Sequence, residues 1–245
     1  MKKFIKIDNR MPILDIIKFN LLLLARRIFF KNANVQFSQT GEELIILHLL
    51  KGINKGFYID VGCNHPYKIS NTFELYLKGW KGICIDANSS LVNLFQKKRR
   101  KDLVLFAAVS DKVEEVTFTE YKYNELNTID SKVSEKLSLS YDVKNQIILK
   151  TLTLTDILNK HLPANYCIDL LSVDVEGNDY KVLTSLDFNL YRPKLIVVEI
   201  HGYNLSTITK SDIYRFLTSI EYELVNFATM NGYFMDKVYL NEMKR

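Results

Sequence analysis

The sequence predicts an α/β fold built on a doubly wound, mostly parallel sheet. Short apolar runs typical of buried strands alternate with helical patterns along most of the chain, and acidic residues stand where several of these runs end. An Asn-Gly pair at 231–232, between two further strand patterns, predicts a C-terminal antiparallel hairpin. With 245 residues, 47% hydrophobic and 25% charged, the chain suits one large domain.

Residues 11–31 precede this alternation and have a helical pattern. Their longest uncharged run, 19–25, is far too short to span a bilayer, and Lys18 and Arg26 do not fit a cleavable signal peptide. We expect a helix packed on the domain, with peripheral membrane contact through residues 11–31 as the alternative. The chain therefore divides into a helical appendage, residues 1–36, and a domain, residues 37–245.

Within the domain the patterns predict elements in a fixed order. These are a helix over 38–51, a strand within 56–64, a helix over 71–78, a strand over 82–86, a helix over 89–101, strands over 103–109 and 115–121, a short strand over 151–155 leading into a helix, a strand over 168–175 followed by a helix to about 186, a strand over 194–200, a helix over 212–220 and two strands between 223 and 240. Residues 122–150 are polar and weakly periodic, and we expect an irregular lid or binding loop there.

Charge and cysteine usage exclude some classes of function. Residues 97–101 are five consecutive Lys or Arg residues, and we expect a solvated helix end there. A surface that stacks nucleic-acid bases would need aromatic residues between the cations, and this run has none. We therefore predict no nucleic-acid partner. Cys63, Cys84 and Cys167 show neither disulfide nor zinc spacing, and we expect reduced core residues of a cytoplasmic protein.

Polar residues end four of the predicted strands, and in doubly wound sheets ligands bind beyond such ends. They are Asp60, Asp86, Asp174, Glu176, Glu199 and His201. The sequence therefore predicts a single site at this edge of the sheet.

The turn after the first strand indicates the ligand. A dinucleotide turn needs G-x-G-x-x-G, but the three glycine positions hold Gly62, Asn64 and Tyr67. Asp60 would repel a pyrophosphate and attract a ligand with an ammonium group, such as S-adenosylmethionine. Asp86, 24 residues beyond Gly62, suits ribose hydroxyls. The alternative is that Asp60 only caps the turn and Gly62 only relieves a positive φ angle.

Several blocks together resemble the FkbM family of S-adenosylmethionine-dependent methyltransferases. They are Phe37-Ser-Gln-Thr-Gly-Glu42, Tyr58-Ile-Asp-Val-Gly-Cys-Asn64, Ser70-Asn-Thr72, Gly79-Trp-Lys-Gly-Ile-Cys-Ile-Asp86, Ala107-Ala-Val-Ser-Asp111, Leu171-Ser-Val-Asp-Val-Glu-Gly177 and Val198-Glu199. The resemblance implies a class I methyltransferase fold, with a seven-stranded sheet whose last strand is antiparallel. It also implies S-adenosylmethionine as cofactor and methyl transfer to oxygen of a glycan or other small-molecule acceptor.

The resemblance also assigns the cofactor site by position. The candidate cofactor-binding residues are Asp60, Gly62, Asn64, Asn71, Asp86, Ala87, Ser110, Asp111 and Asp174. The chain departs from the family pattern at Cys63 and at His65-Pro66, next to the cofactor turn.

A hydroxyl acceptor must lose a proton, and Glu176, Glu199 and His201 are the candidate catalytic bases. Glu176 has the alternative role of a helix cap, and Glu199 that of orienting backbone. With Asp174, the three residues also form an oxygen-rich set that would suit magnesium or manganese, and the sequence leaves this open. A nicotinamide-dependent oxidoreductase and a non-catalytic binding or scaffold protein are the alternative functions.

Overall fold

A seven-stranded sheet forms the centre of the protein in the computed structural model, which describes residues 13–29 and 36–243. The strands are β1 (Phe57–Val61), β2 (Lys81–Asp86), β3 (Leu103–Phe106), β4 (Ala108–Val109), β5 (Glu115–Tyr121), β6 (Val143–Leu152), β7 (Leu170–Val173), β8 (Leu195–Glu199), β9 (Tyr222–Ala228) and β10 (Asn231–Asp236). The helices are α1 (Ile13–Phe29), α2 (Glu42–Leu49), α3 (Phe73–Leu77), α4 (Ser89–Lys98), α5 (Ser131–Leu137), α6 (Leu154–His161), α7 (Asp179–Thr184), α8 (Asp212–Ser219) and α9 (Lys237–Met243), with 3-10 turns at Asn124–Leu126 and Ile208–Lys210.

The central sheet has the order β3-β2-β1-β7-β8-β10-β9. All pairs from β3 to β8 are parallel, and β10 runs antiparallel to both β8 and β9. The predicted fold class is confirmed, including the seven strands and the antiparallel last strand. The strand order reverses between β1 and β7, which is where such sheets bind ligands.

Alternating side chains of the buried strands pack against helices on the two faces of the sheet. Ile59 and Leu171 contribute to a core that includes residues of α6, α7 and α8. The adjacent residues Tyr58 and Leu170 contribute to a second core, which includes residues of α2, α3 and α4. Strands covered on both faces are largely apolar, which explains why they were recognisable in the sequence.

Helix α1 lies against the domain. Phe19 is buried among aromatic rings that include Phe37, Tyr67 and Phe73. The Asp15 carboxylate accepts a hydrogen bond from the Tyr67 hydroxyl at 2.7 Å and pairs with a lysine of α4 at 2.8 Å. The ends of the predicted 11–31 helix lie outside the described residues. In the described part of the chain, no helix is long and apolar enough to cross a membrane.

Two predicted elements around the strands are wrong in detail. The single strand predicted over 103–109 is two strands in different sheets, because the chain leaves the central sheet after Phe106 and β4 pairs with β6. The hairpin turn is formed by Thr229 and Met230, while Asn231 and Gly232 already pair within β10. Thr229 takes the positive φ (57°) that was expected of an Asn-Gly turn.

The irregular segment predicted over 122–150 is largely ordered secondary structure. It contains a 3-10 turn, α5 and most of β6, which pairs with β5 in a three-stranded sheet. The prediction failed because β6 is exposed along most of its length and therefore carries polar residues where a buried strand would be apolar. Cys167 is also exposed, so the predicted core position holds only for Cys63 and Cys84.

The basic run 97–101 is not wholly solvated, because Arg99 is completely buried. Its guanidinium pairs with the buried Asp102 carboxylate at 2.8 Å and donates to the Tyr58 hydroxyl at 2.6 Å and to Thr72 Oγ1 at 3.0 Å. It also lies over aromatic rings, including that of Phe95 at 4.8 Å. A buried cation needs this full set of partners, since an unpaired charge in the core is strongly destabilising.

We predict that Arg99→Met lowers the free energy of unfolding by about 3–5 kcal/mol, because the Asp102 carboxylate then stays buried without a cation. The neighbouring Arg100 is exposed, and Arg100→Met should change the stability by less than about 0.5 kcal/mol. Urea unfolding of both variants measures the difference. If the two variants had equal free energies of unfolding, the buried Asp102 carboxylate would not need the Arg99 guanidinium as a partner.

Gly62 allows two strand ends to approach each other. A Cβ at position 62 would lie 1.7 Å from the carbonyl oxygen of Asp174, and φ is +81°. The turn is fixed on both sides, since Gly62 N donates to Ile85 O at 2.9 Å and Asp174 N donates to Val61 O at 3.0 Å. A side chain here would force backbone apart, because no flexible group is available to move.

We predict that Gly62→Ala destabilises the protein by at least about 2 kcal/mol more than Gly79→Ala. Gly79 has a similar φ of +93° but open space around the position of a Cβ, so it isolates the cost of the backbone conformation. Thermal and urea unfolding test the pair. Equal losses of stability in the two variants would mean that the close contact between position 62 and the Asp174 carbonyl does not restrict the side chain at position 62.

Candidate functional site

A cavity that opens to solvent lies at the carboxyl ends of β1, β2 and β7. It is lined by Gln39, Val61, Gly62, Asn64, Ile69, Ile85, Asp86, Ala87, Ala107, Ala108, Val109, Phe118, Asn124, Glu125, Asn127, Thr128, Ile129, Asp174, Val175 and Glu176. Of the six polar residues in the single site that the sequence predicted at this edge, Asp86, Asp174 and Glu176 line the cavity.

Six of the predicted site residues line the cavity: Gly62, Asn64, Asp86, Ala87, Asp174 and Glu176. The Asp86 carboxylate accepts hydrogen bonds from Asn64 N at 2.9 Å and Asn88 N at 2.7 Å, which fixes it at the end of β2. Burial raises the pKa of Asp86 to about 6. Its oxygens retain lone pairs that can accept further hydrogen bonds from a ligand.

The structure places other predicted cofactor residues outside the cavity wall. Asp60 is buried beneath the turn, where its carboxylate accepts from Thr72 Oγ1 at 2.6 Å, and burial raises its pKa. Asn71 donates to Ser172 Oγ at 3.1 Å in the same layer. These two residues support the turn from below.

Ser110 and Asp111 follow β4, just beyond the residues of that strand that line the cavity. Ser110 Oγ donates to Asp111 Oδ1 at 3.2 Å, and the Asp111 side chain is exposed. The apolar wall next to Asp86 is formed instead by Ala107, Ala108 and Val109.

The three candidate bases lie together at one side of the cavity. His201 Nε2 is 2.8 Å from Glu199 Oε2 and 3.9 Å from Glu176 Oε2. Glu199, the last residue of β8, is buried, whereas Glu176 lines the cavity and His201 is exposed. Glu176 is therefore the member of the cluster that faces a ligand.

Electrostatics at this side of the cavity favour the protonated forms of Glu176 and Asp174. Burial, reinforced by the nearby Glu199 charge, raises the pKa of Glu176 to about 8. Burial and the same neighbour raise the pKa of Asp174 well above its ordinary value. Contact with the Glu199 carboxylate raises the pKa of His201. A carboxyl group that titrates near neutral pH is suited to accepting a proton during a reaction.

The loop that carries Glu176 is held in a rigid and unusual conformation. Glu176 has a positive φ of 52°. Its carbonyl accepts from Thr128 Oγ1 at 2.8 Å, and the Asp179 carboxylate accepts from Val175 N and Gly177 N, both at 3.1 Å. A non-glycine residue in this region is strained, and such strain persists at functional sites where the surroundings fix it. Helix α7 begins after Asn178 and has no side-chain cap, so the alternative role of Glu176 as a helix cap is wrong, and the Glu176 side chain lines the cavity instead.

The sequence interpretation missed much of the wall opposite the strands. Asn124, Glu125, Asn127, Thr128 and Ile129 line the cavity from the 3-10 turn and the residues after it. Only the position of this segment within the predicted binding loop pointed to them. Gln39, Ile69 and Phe118 come from three further segments. Gln39 belongs to one of the blocks that resemble the family, but none of the three was predicted as a site residue.

Three groups in the described part of the chain are close enough to share a metal ion. Ligand atoms of Glu176, Glu199 and His201 all lie within 4.8 Å of one another, and Asp174, which the sequence added to this set, is not part of the group. Two carboxylates and an imidazole would suit magnesium or manganese. The same arrangement also serves proton transfer.

Comparison with solved structures gives distant matches. A TehB-like S-adenosylmethionine-dependent methyltransferase from Corynebacterium glutamicum ATCC 13032 Kitasato is 9% identical, with a TM-score of 0.41 and coverage of 89% of this chain and 97% of that chain. A putative RNA methyltransferase from Pyrococcus horikoshii is 11% identical, with a TM-score of 0.42 and coverage of 84% and 89%. M. capricolum TrmK, solved with S-adenosyl-homocysteine, is 11% identical, with a TM-score of 0.39 and coverage of 78% and 66%.

Among curated proteins no match was found. The family model described as "Methyltransferase FkbM domain" matches residues 60–226, more than half of the chain. This range contains the turn after β1, the strand-end acids and the Glu176 cluster. The resemblance identified in the sequence is confirmed, and the protein belongs to the FkbM family of S-adenosylmethionine-dependent methyltransferases.

Proposed function

We propose that the protein transfers the methyl group of S-adenosylmethionine to a hydroxyl oxygen of a sugar, glycan or similar small acceptor. The observation that carries this proposal is the position of Glu176. It lies in the wall of the cofactor cavity, next to His201 and Glu199, with a pKa raised to about 8. A hydroxyl acceptor requires a proton acceptor at such a position, since the oxygen must lose its proton as it attacks.

The cavity suits a donor that carries positive charge. Asp86, Glu125, Asp174 and Glu176 line it, and none of its described lining residues is Lys, Arg or His. A sulfonium and an ammonium group would be attracted there, whereas a pyrophosphate would find no cation. Asp86 would accept hydrogen bonds from the ribose hydroxyls, and the alanines of 107–108 with Phe118 would form an apolar wall for the base. Neither Asp60 nor Asn71 needs to touch the donor, since both hold the turn in place.

When bound, S-adenosylmethionine supplies an electrophilic methyl group. The residues of this chain must align the acceptor oxygen with that carbon and remove one proton. In the proposed step the hydroxyl oxygen forms the new bond to carbon, the carbon–sulfur bond breaks, and Glu176 takes the hydroxyl proton. His201 and Glu199 act as its neighbours, with His201 placed to pass the proton to solvent because it is exposed.

The rim of the cavity supports a sugar acceptor. Tyr123 directly precedes the lining residues Asn124 and Glu125, and its exposed ring forms an edge contact with Tyr141 at 6.4 Å between centroids. Exposed aromatic rings beside amide and carboxylate groups offer both an apolar face and hydrogen-bond partners. A sugar ring presents the complementary combination of apolar C–H faces and hydroxyls.

Methyl transfer is tested with S-adenosylmethionine carrying an isotope-labelled methyl group and a panel of sugars, nucleotide sugars and oligosaccharides. The expected product is an O-methylated sugar, formed with one equivalent of S-adenosylhomocysteine and identified by mass spectrometry and NMR. Methyl transfer to nitrogen or carbon would contradict the proposal. So would donor binding without turnover of any sugar-type acceptor, which would favour the non-catalytic alternative.

The family match decides against the nicotinamide-dependent oxidoreductase, which was the alternative enzymatic function.

We also propose a cytoplasmic location, because the cysteines of the described chain, Cys63, Cys84 and Cys167, are free thiols.

We predict that Asp86→Ala weakens binding of S-adenosylmethionine by about tenfold to a hundredfold, since a charge-assisted hydrogen bond to the ribose is worth about 1.5–3 kcal/mol. Asp111→Ala is the matched control, because this exposed carboxylate lies outside the cavity wall, and it should leave the affinity within about twofold. Calorimetry measures both. Equal losses would show that the ribose is not held at Asp86.

We predict that kcat/KM rises with pH through about 8 as Glu176 ionises, and that Glu176→Gln lowers kcat at least about a hundredfold and removes this limb of the profile. Because burial raises the pKa, the active ionised form prevails above about 8 and is lost as the pH falls. Glu125→Gln, an exposed carboxylate of the same cavity, is the control and should keep the limb.

The profile is recorded with and without EDTA and added magnesium, because a bound cation would lower the pKa of its ligands and shift the limb to lower pH. A limb that persists unchanged in Glu176→Gln would assign the proton acceptor to another residue.

A further inference from the structure

One face of helix α1 is apolar and exposed. Its side chains recur every three or four residues, which aligns them along one side of the helix. The members of this apolar stripe are Leu14, Ile17, Leu21, Leu24 and Ile28. Their exposure reaches 80% at Leu14, 60% at Leu21 and 59% at Ile28. A contiguous exposed stripe of this kind marks an interaction surface.

The stripe faces away from the domain. Asp15 and Phe19, which contact Tyr67, Lys98 and Phe73, lie on the opposite side of the helix. The helix is therefore held on the protein by one face and presents the other.

The positive charge of the protein is concentrated in the same segment. Residues 1–31 contain eight Lys or Arg and two Asp, a formal charge of +6, whereas the whole chain carries +5. The other 214 residues together carry −1. On the described helix, Lys18 is exposed beside the stripe. Apolar residues on one helix face, combined with a local excess of cations, are typical of helices that lie in the interface of an anionic membrane.

A second copy of the chain fits this face less well. The spacing of the stripe would also serve a coiled coil, but α1 has 17 residues, about two heptads, while a stable coiled coil needs three or four. Pairing would also bring two segments of formal charge +6 together, which repel each other. An anionic surface removes this repulsion and buries the stripe at once.

We propose that α1 docks the protein on anionic phospholipid through the apolar stripe. The helix lies next to the cavity. Its Phe19 packs on Phe37 and Tyr67. Two residues further along the chain from these aromatic residues are Gln39 and Ile69, respectively, and both line the cavity. Docking through α1 therefore brings the methyl-transfer site close to the membrane surface.

The test is co-sedimentation of the full chain with vesicles of phosphatidylcholine alone or with about 30% phosphatidylserine. We expect binding to the anionic vesicles only, weakened when the salt is raised from about 0.1 M to about 0.5 M. The triple variant Leu14→Ser, Leu21→Ser, Ile28→Ser should lower the bound fraction by about fivefold or more. Equal binding to both kinds of vesicle, or no binding to either, would overturn the proposal.

A matched control carries three serine substitutions at exposed apolar residues elsewhere: Leu139 (86% exposed), Val238 (60%) and Ile148 (72%). It should bind like the unmutated chain. Circular dichroism and binding of S-adenosylmethionine show that both variants are folded. Loss of vesicle binding in both, or in neither, would contradict a specific role for α1. Light scattering without lipid tests whether a second copy of the chain covers the apolar stripe instead. If the unmutated chain and the control are dimers and only the α1 variant is a monomer, the stripe is a dimer interface and the membrane proposal is wrong.

Discussion

The close approach of the β1 turn to the end of β7 determines the geometry of the site. Position 62 lies so near the Asp174 carbonyl that only glycine fits, and the turn is hydrogen-bonded to β2 on its other side. Three strand ends are thereby fixed relative to one another. Asp86 and Glu176, far apart in the sequence, line one cavity because this junction is tight.

The layer beneath the turn is stabilised by buried charges that satisfy each other. Arg99 pairs with Asp102 and donates to Thr72, and Thr72 in turn donates to Asp60. In an environment of low dielectric such a chain of hydrogen bonds is strong when complete and costly when one member is missing. Asp60, which the sequence assigned to the ligand, is therefore also the end of a structural network that links α4 to the cofactor turn.

The sequence was informative where structure is decided locally. Apolar strands covered on both faces leave a clear pattern, and parallel topology places the acids that follow them at one edge, so Asp86, Asp174 and Glu176 could be found without coordinates. Arg99 could not, because a buried cation and a solvated one look alike until its partners are known. The hairpin turn was misplaced for a similar reason.

Local turn propensity favoured Asn231-Gly232, but pairing of Asn231 with Glu199 in β8 draws that dipeptide into the strand. The lining residues of this segment, 124–125 and 127–129, reach the cavity only through tertiary contacts, such as the hydrogen bond from Thr128 to the Glu176 carbonyl. Their composition predicted a loop, and only the fold shows which side of that loop faces the ligand.

The concentration of carboxyl groups explains both the choice of donor and the unusual titration of the site. Burial raises the pKa of Glu176 to about 8 and also raises that of Asp174, so both carboxyl groups hold their protons more tightly in the folded protein than in the unfolded chain. The protonated groups therefore stabilise the folded protein most at low pH. The stabilisation from Glu176 declines as the pH rises towards about 8. A cationic ligand counteracts this rise in pKa, because it favours the ionised carboxylates. These buried acids therefore favour a cationic ligand over a phosphate-bearing one, which agrees with S-adenosylmethionine as the cofactor and with the proposed role of Glu176.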